Sequence, residues 1–271
     1  MLHRRVVART VLVTMLLGAC RPDTVALVYR FPQQTTSFEM TASARASWEI
    51  QGLGSGSGAY TVKFLVTEEV VETDGPGAVI AVTMEPTEIT EEGLPSPGGD
   101  IRTFTLQVGE VGEVLQVLEI DGIQAGDLDP ETLALIGTYR PPLPRAPVRL
   151  GDSWQPARAA GEEPSLQSLV ATGHLDELGR DPDGAYGRLT FEGDGPLIWQ
   201  TRLPQGAATL TGAAHTTTAA MLDLDSGFLR NATTAIQGEF EVRVTPEERA
   251  GSPLSGTLRL RLEVELGNVE S

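Results

Sequence analysis

The chain has 271 residues, with 20 Lys and Arg against 37 Asp and Glu and a formal charge of −17. That balance argues against a nucleic-acid partner, since phosphate is held by a surplus of Lys and Arg. A single cysteine excludes an intrachain disulfide and, with only three histidines, a Cys/His zinc cluster, while 40% hydrophobic residues suffice to bury a core.

Residues 1–19 read as a cleaved signal peptide. Arg4, Arg5 and Arg9 form a positive start, residues 10–17 are apolar, and the small Gly18 and Ala19 stand directly before Cys20. The apolar run is too short to span the ~30 Å hydrocarbon layer of a bilayer. Leu17-Gly18-Ala19-Cys20 resembles the lipobox of bacterial lipoproteins. The resemblance implies cleavage between Ala19 and Cys20, a diacylglycerol on the Cys20 sulfur, and acylation of the new amino group, with palmitate among the acyl chains. The plainer alternative is an ordinary signal peptide beside an incidental cysteine. Without residues 1–19, which hold three arginines and no acid, the charge becomes −20. Such a domain is repelled by anionic headgroups, so the acyl chains rather than the protein surface are expected to hold it at the membrane. Residues 20–24 are then a short lipidated tether. Lipoprotein sorting implies the outer membrane, if the cell has two membranes, because Arg21 rather than Asp follows the cysteine.

The rest reads as strands. An apolar stretch at 25–29 comes first. Residues 38–50 keep apolar side chains on one parity, from Phe38 to Ile50. The glycine- and serine-rich run 52–58 is a flexible linker by composition. Strands are predicted at 60–72, 78–88, 101–108 and 113–120. Asp129-Pro130-Glu131 supplies a cap, an N1 proline and an early acid, and Gly137 a stop, so one short helix is expected near 129–137. Four prolines mark an extended connection at 139–147. Further strands are predicted at 166–177, 185–192, 197–203, 208–224, 228–237, 240–244 and 258–266. The last has Leu258, Leu260, Leu262, Val264 and Leu266 on one face and Arg259, Arg261, Glu263 and Glu265 on the other, as a half-buried antiparallel strand requires. Asp74-Gly75-Pro76-Gly77, Asp181-Pro182-Asp183-Gly184 and Asp225-Ser226-Gly227 carry turn chemistry.

Several short motifs invite a chemical reading. Gly151-Asp152-Ser153-Trp154 compares with serine esterases of the Gly-Asp-Ser-Leu type, but it lies mid-chain, Trp154 replaces leucine, and no Asp-x-x-His follows. A hydroxyl nucleophile needs a positioned base, and His174 and His215 are the available imidazoles. The plainer reading is a turn with Trp154 in the core. Asp223-Leu224-Asp225-Ser226-Gly227 resembles the opening of a calcium loop, yet its glycine comes one residue early and the closing glutamate is missing. A hairpin turn accounts for it better. Gly52 to Gly58 lacks the Gly-Lys-Ser/Thr of a phosphate loop. No catalytic residue, metal ligand or cofactor is assigned from these signals.

The expected fold is therefore mainly β: antiparallel curved sheets or a half-barrel of two similar halves, 25–138 and 148–271, with one short helix. This plan resembles two-half β lipoproteins and, distantly, the outer-membrane lipoprotein carrier family, in which a curved sheet holds acyl chains. The expected role is a membrane-anchored envelope lipoprotein with a non-catalytic interaction or scaffolding function, partnered by the membrane through Cys20 and by an envelope protein or apolar ligand. The alternatives are a carrier of an apolar ligand such as lipid, and a serine hydrolase using Ser153 with a histidine.

Overall fold

The computed structural model describes residues 24–52, 54–75, 77–94, 96, 99–124, 140–155, 172–203, 206–246 and 253–268. Signal and lipobox residues, including Ala19 and Cys20, and the helix expected near 129–137 lie outside them. Among the described residues there are twelve strands: β1 Thr36–Ile50, β2 Gly54–Asp74, β3 Gly77–Glu92, β4 Arg102–Val108, β5 Val114–Ile120, β6 Ile123–Gln124, β7 Ser153–Trp154, β8 Thr172–Asp181, β9 Gly184–Leu203, β10 Gly206–Asp223, β11 Leu229–Pro246 and β12 Leu254–Asn268. All the described strand pairings within the sheet are antiparallel, and they form one curved, unclosed sheet in the order β6-β5-β4-β3-β2-β1-β12-β11-β10-β9-β8-β7. Six strands thus come from residues before the proline-rich connection and six from residues after it. The two meanders join where β1 pairs with β12 along its length, from Phe38↔Asn268 to Ile50↔Gly256.

Period-two patterning explains the strands, and pairing explains their length. Residues 185–192 and 197–203 are one strand, because β9 pairs with β10 without a register break, from Gly206↔Leu203 to Asp223↔Tyr186. Likewise 228–237 and 240–244 merge into β11. The run 52–58 is not a linker: residues 54–58 pair with β1, with Gly56 opposite Trp48. A Cβ on Gly56 would lie 2.6 Å from the Trp48 ring. Close approach, not flexibility, accounts for that glycine.

The even-numbered side chains of β1, β10, β11 and β12 face the core, which falls into two clusters. The larger gathers Phe38, Met40, Val62, Ile80, Leu106, Leu175, Phe191, Leu222, Ala232 and Leu266 from nine neighbouring strands. Into it run two irregular segments. Val25 and Val148 exchange backbone bonds of 2.7 and 2.9 Å, Tyr29 N–H donates to Glu110 O, Arg30 N–H to Gly227 O, and Leu143 N–H to Val111 O. Leu27, Tyr29, Leu143 and Val148 are buried among the strand residues. The core face at this cluster is therefore covered by the chain's own N-terminal and proline-rich segments. The second cluster, Ile50, Leu197, Leu210, Ile236, Phe240, Val242 and Val244 with Trp48 and Leu258 beside it, occupies the far ends of the long strands.

Candidate functional site

The motifs singled out in the sequence resolve into local structure. Ser153 and His174 are direct partners across β7 and β8, which puts their Cα atoms about 5 Å apart. The structure thus brings these two together, but no hydrogen bond joins hydroxyl to imidazole among the described residues, and Ser153 is exposed at the sheet's edge. Asp152 Oδ2 accepts from Arg149 N–H at 2.8 Å, closing the turn. Trp154 meets Phe191 edge-on at 5.7 Å and donates from Nε1 to Pro142 O at 3.2 Å.

Asp223 is similarly committed. Its Oδ1 accepts from the backbone N–H groups of Asp225 and Ser226 and from Ser226 Oγ. Its Oδ2 accepts from Arg230 Nε and Nη2, while Arg230 Nη1 donates to both oxygens of Asp181. Burial works to raise the Asp223 carboxyl, but the Ser226 and Arg230 donors outweigh it and hold the pKa below the ordinary value. Hydrogen bonding to Arg230 lowers that of Asp181. Both oxygens of Asp223 serve a hairpin turn, with Arg230 tying it to the neighbouring turn.

A second buried ion pair, Arg140–Glu68, pins the proline-rich segment to β2, its side chains 12% and 8% exposed. The Arg140 guanidinium lies 5.3 and 5.2 Å from the ring centres of Tyr29 and Phe31. Tyr29 donates its hydroxyl to Pro141 O at 2.8 Å. Burial holds that phenol well above its usual pKa, with the Arg140 charge opposing. Space beside this cluster amounts to about 10 Å³, at the limit for one water.

A broader concavity lies elsewhere, on the exposed face. It is an open groove of about 1020 Å³ crossing five strands. Asp194, His215, Gln237, Arg261 and Arg45 are successive ladder partners from β9 to β1. One row over run Pro196, Ala213, Glu239, Arg259 and Ser47. Between these rows stand Gly195, Ala214, Gly238, Leu260 and Ala46, small at four of five positions. Phe240 folds over Gly238, where a Cβ would come within 2.5 Å of its ring.

The groove's charges are unlike those of the chain. Its lining holds three guanidiniums against two carboxylates, where the whole sequence has 20 cations and 37 acids. His215 Nδ1 lies 2.8 Å from Asp194 Oδ1. Arg259 reaches Glu239 at 3.4 Å and Arg261 reaches Glu263 at 3.8 Å, both on exposed side chains. Such pairs contribute ~0.2–1 kcal/mol each. Arg45 makes no ion pair among the described residues, and its cross-strand partner is another arginine. Like charges directly opposite on a ladder destabilise it. Sequence reasoning considered His215 only as a catalytic base and passed over Arg45, Asp194 and Gln237. The available signal was arginine on the solvent parity of both the first and last long strands, which acquires meaning once those strands are known to pair.

No known protein-family model matches the chain, and no curated protein matches it. Among solved structures, one similar chain is DynF from the dynemicin biosynthesis pathway of Micromonospora chersina, at 8% identity over 93% of this chain and 88% of that one, with a TM-score of 0.21. A likeness that weak carries no argument about fold or activity.

Proposed function

We propose that this chain is an exported lipoprotein, anchored through acyl chains on Cys20, whose domain acts non-catalytically as an interaction or scaffolding protein of the bacterial cell envelope. In a cell with two membranes the anchor would lie in the outer one, following the Arg21 argument. The observation that carries the interaction reading is the distribution of space. The larger core cluster, where a carrier of acyl chains would hold its ligand, is packed with Leu27, Tyr29, Leu143 and Val148, while the open groove lies on the polar face. A surface accessible from outside suits a partner better than a cargo. The short tether supports the arrangement, since Cys20 stands five residues before Val25, which is fixed to Val148. Five extended residues reach at most ~18 Å, so the domain would sit close to the bilayer.

The test is a Cys20→Ser variant expressed in a bacterial host. Loss of partitioning into detergent, with wild-type chain in the membrane fraction, is the expected result; unchanged partitioning refutes the anchor. Native mass spectrometry of the purified protein addresses the carrier alternative. A stoichiometric apolar ligand that stays bound to the domain would overturn the interaction reading.

A further inference from the structure

We propose that the groove across β9, β10, β11, β12 and β1 is an oxyanion site for a ligand bearing a phosphate or diphosphate group. The inference rests on the groove being the interaction surface, and is independent of whether Cys20 carries lipid.

Three observations converge. The first is the opposition of Arg45 and Arg261 on the exposed face of the central β1–β12 ladder, with Arg259 two residues along. In a chain with nearly twice as many acids as cations, the repulsion could be relieved by placing one acid at position 45, yet arginine stands there. An anion bridging the two guanidiniums turns the repulsive pair into an attractive set. The second is shape. These arginines border an open groove of about 1020 Å³, broad enough for a ligand that spans several strands. The third is the remaining polar lining. Gln237 lies between Arg261 and His215 on the same ladder row and supplies amide donors. His215 is held from its Nδ1 by Asp194, which fixes the ring at the groove's end. The acids facing the cluster, Glu239 and Glu263, take up Arg259 and Arg261 only through exposed contacts of 3.4 and 3.8 Å, which a bidentate oxyanion can displace.

The sheet sets where the arginines are rooted. Opposed residues on an antiparallel ladder are about 5 Å apart and alternate residues of one strand about 7 Å. From those roots three long side chains can converge on one phosphate or diphosphate group. The shared chemistry is the phosphate group, whether on a soluble metabolite or on a lipid headgroup.

The experiment titrates the purified full chain with inorganic pyrophosphate by calorimetry at low ionic strength. In parallel, flotation tests neutral vesicles with and without 20 mol% phosphatidic acid, using the Cys20→Ser chain so that the anchor does not contribute. Saturable binding to either probe, weakened at least tenfold in Arg45→Gln and in Arg261→Gln and unchanged in Arg243→Gln on β11 outside the groove, is the expected result. Preference for pyrophosphate identifies a soluble ligand, and preference for the acidic vesicles a headgroup. Absence of binding to both, or binding that survives the Arg45 and Arg261 substitutions, overturns the proposal and leaves the anchor reading to be decided by partitioning alone. A melting temperature that does not fall in the glutamine variants separates loss of the site from loss of the fold.

Discussion

The two regions of this sheet are stabilised in opposite ways. Where the N-terminal and proline-rich segments enter, side chains from both meanders converge on Leu27 and Tyr29, and the charges present are paired: Arg140 with Glu68, and Arg230 with Asp223 and Asp181. Midway along the long strands the core face narrows to Ala46, Ala214 and Gly238, while the other face sets Arg45 against Arg261. One region puts every strong group to use in folding. The other retains groups that folding alone does not need, and these are the natural place to look for binding.

The contrast can be broken most severely at the packed end. Leu27→Ala should cost about 3 kcal/mol, because Leu27 is 1% exposed between strands that cannot collapse onto the gap. A drop in urea midpoint with unchanged slope would show it; a loss below ~1 kcal/mol would mean that the segment merely rests on the sheet. Next comes Arg230→Met, expected to cost about 2 kcal/mol at pH 7 by leaving Asp223 Oδ2 without its guanidinium donors. Because Asp223 and Asp181 have folded-state pKa values below their ordinary ones, their contribution is present above the unfolded carboxylate value and is lost as pH falls through the folded one. The gap between wild type and variant should therefore be full at neutral pH and close below about pH 4. A gap that persists in acid would contradict the assignment.

At the groove the sign reverses. Arg45→Thr should raise stability by about 0.5 kcal/mol, since it removes the repulsion from Arg261 and adds a good strand former. The gain should shrink in 1 M salt, where the screening length is ~3 Å. A destabilised variant would show that Arg45 has a structural partner. The smallest effect is expected for Arg259→Ala, within ~0.5 kcal/mol, because its contact with Glu239 is exposed and loosely held.

Much of the strand content was legible because a sheet with one buried face imposes period two on its residues. Leu258 to Leu266 and Phe38 to Ile50 show that alternation plainly, and both became strands of one ladder. Where glycine interrupted the pattern, composition misled: residues 54–58 look like a linker but are held extended by β1, and Gly193 and Gly195 lie inside β9 rather than between two strands. Local sequence carries no information about whether a glycine is free or is pressed against a tryptophan.

Of the site, little was readable. The serine-histidine pair suggested by Ser153 and His174 are ladder neighbours without a hydrogen bond, and the Asp223 motif is a turn. Arg45, His215, Gln237 and Asp194 were visible only as polar residues of the correct parity on separate strands. The sequence by itself determined the alternation, the turn residues at 181–184 and 223–227, the acidic balance and the lipobox pattern, since each depends on neighbours within a few positions. Tertiary structure alone decided that the first long strand lies beside the last, that the N-terminal segment packs into the larger core cluster, and that two arginines from opposite ends of the chain meet on the other face. Those facts depend on register between distant strands, which is set by packing of the whole sheet and not by any stretch of it.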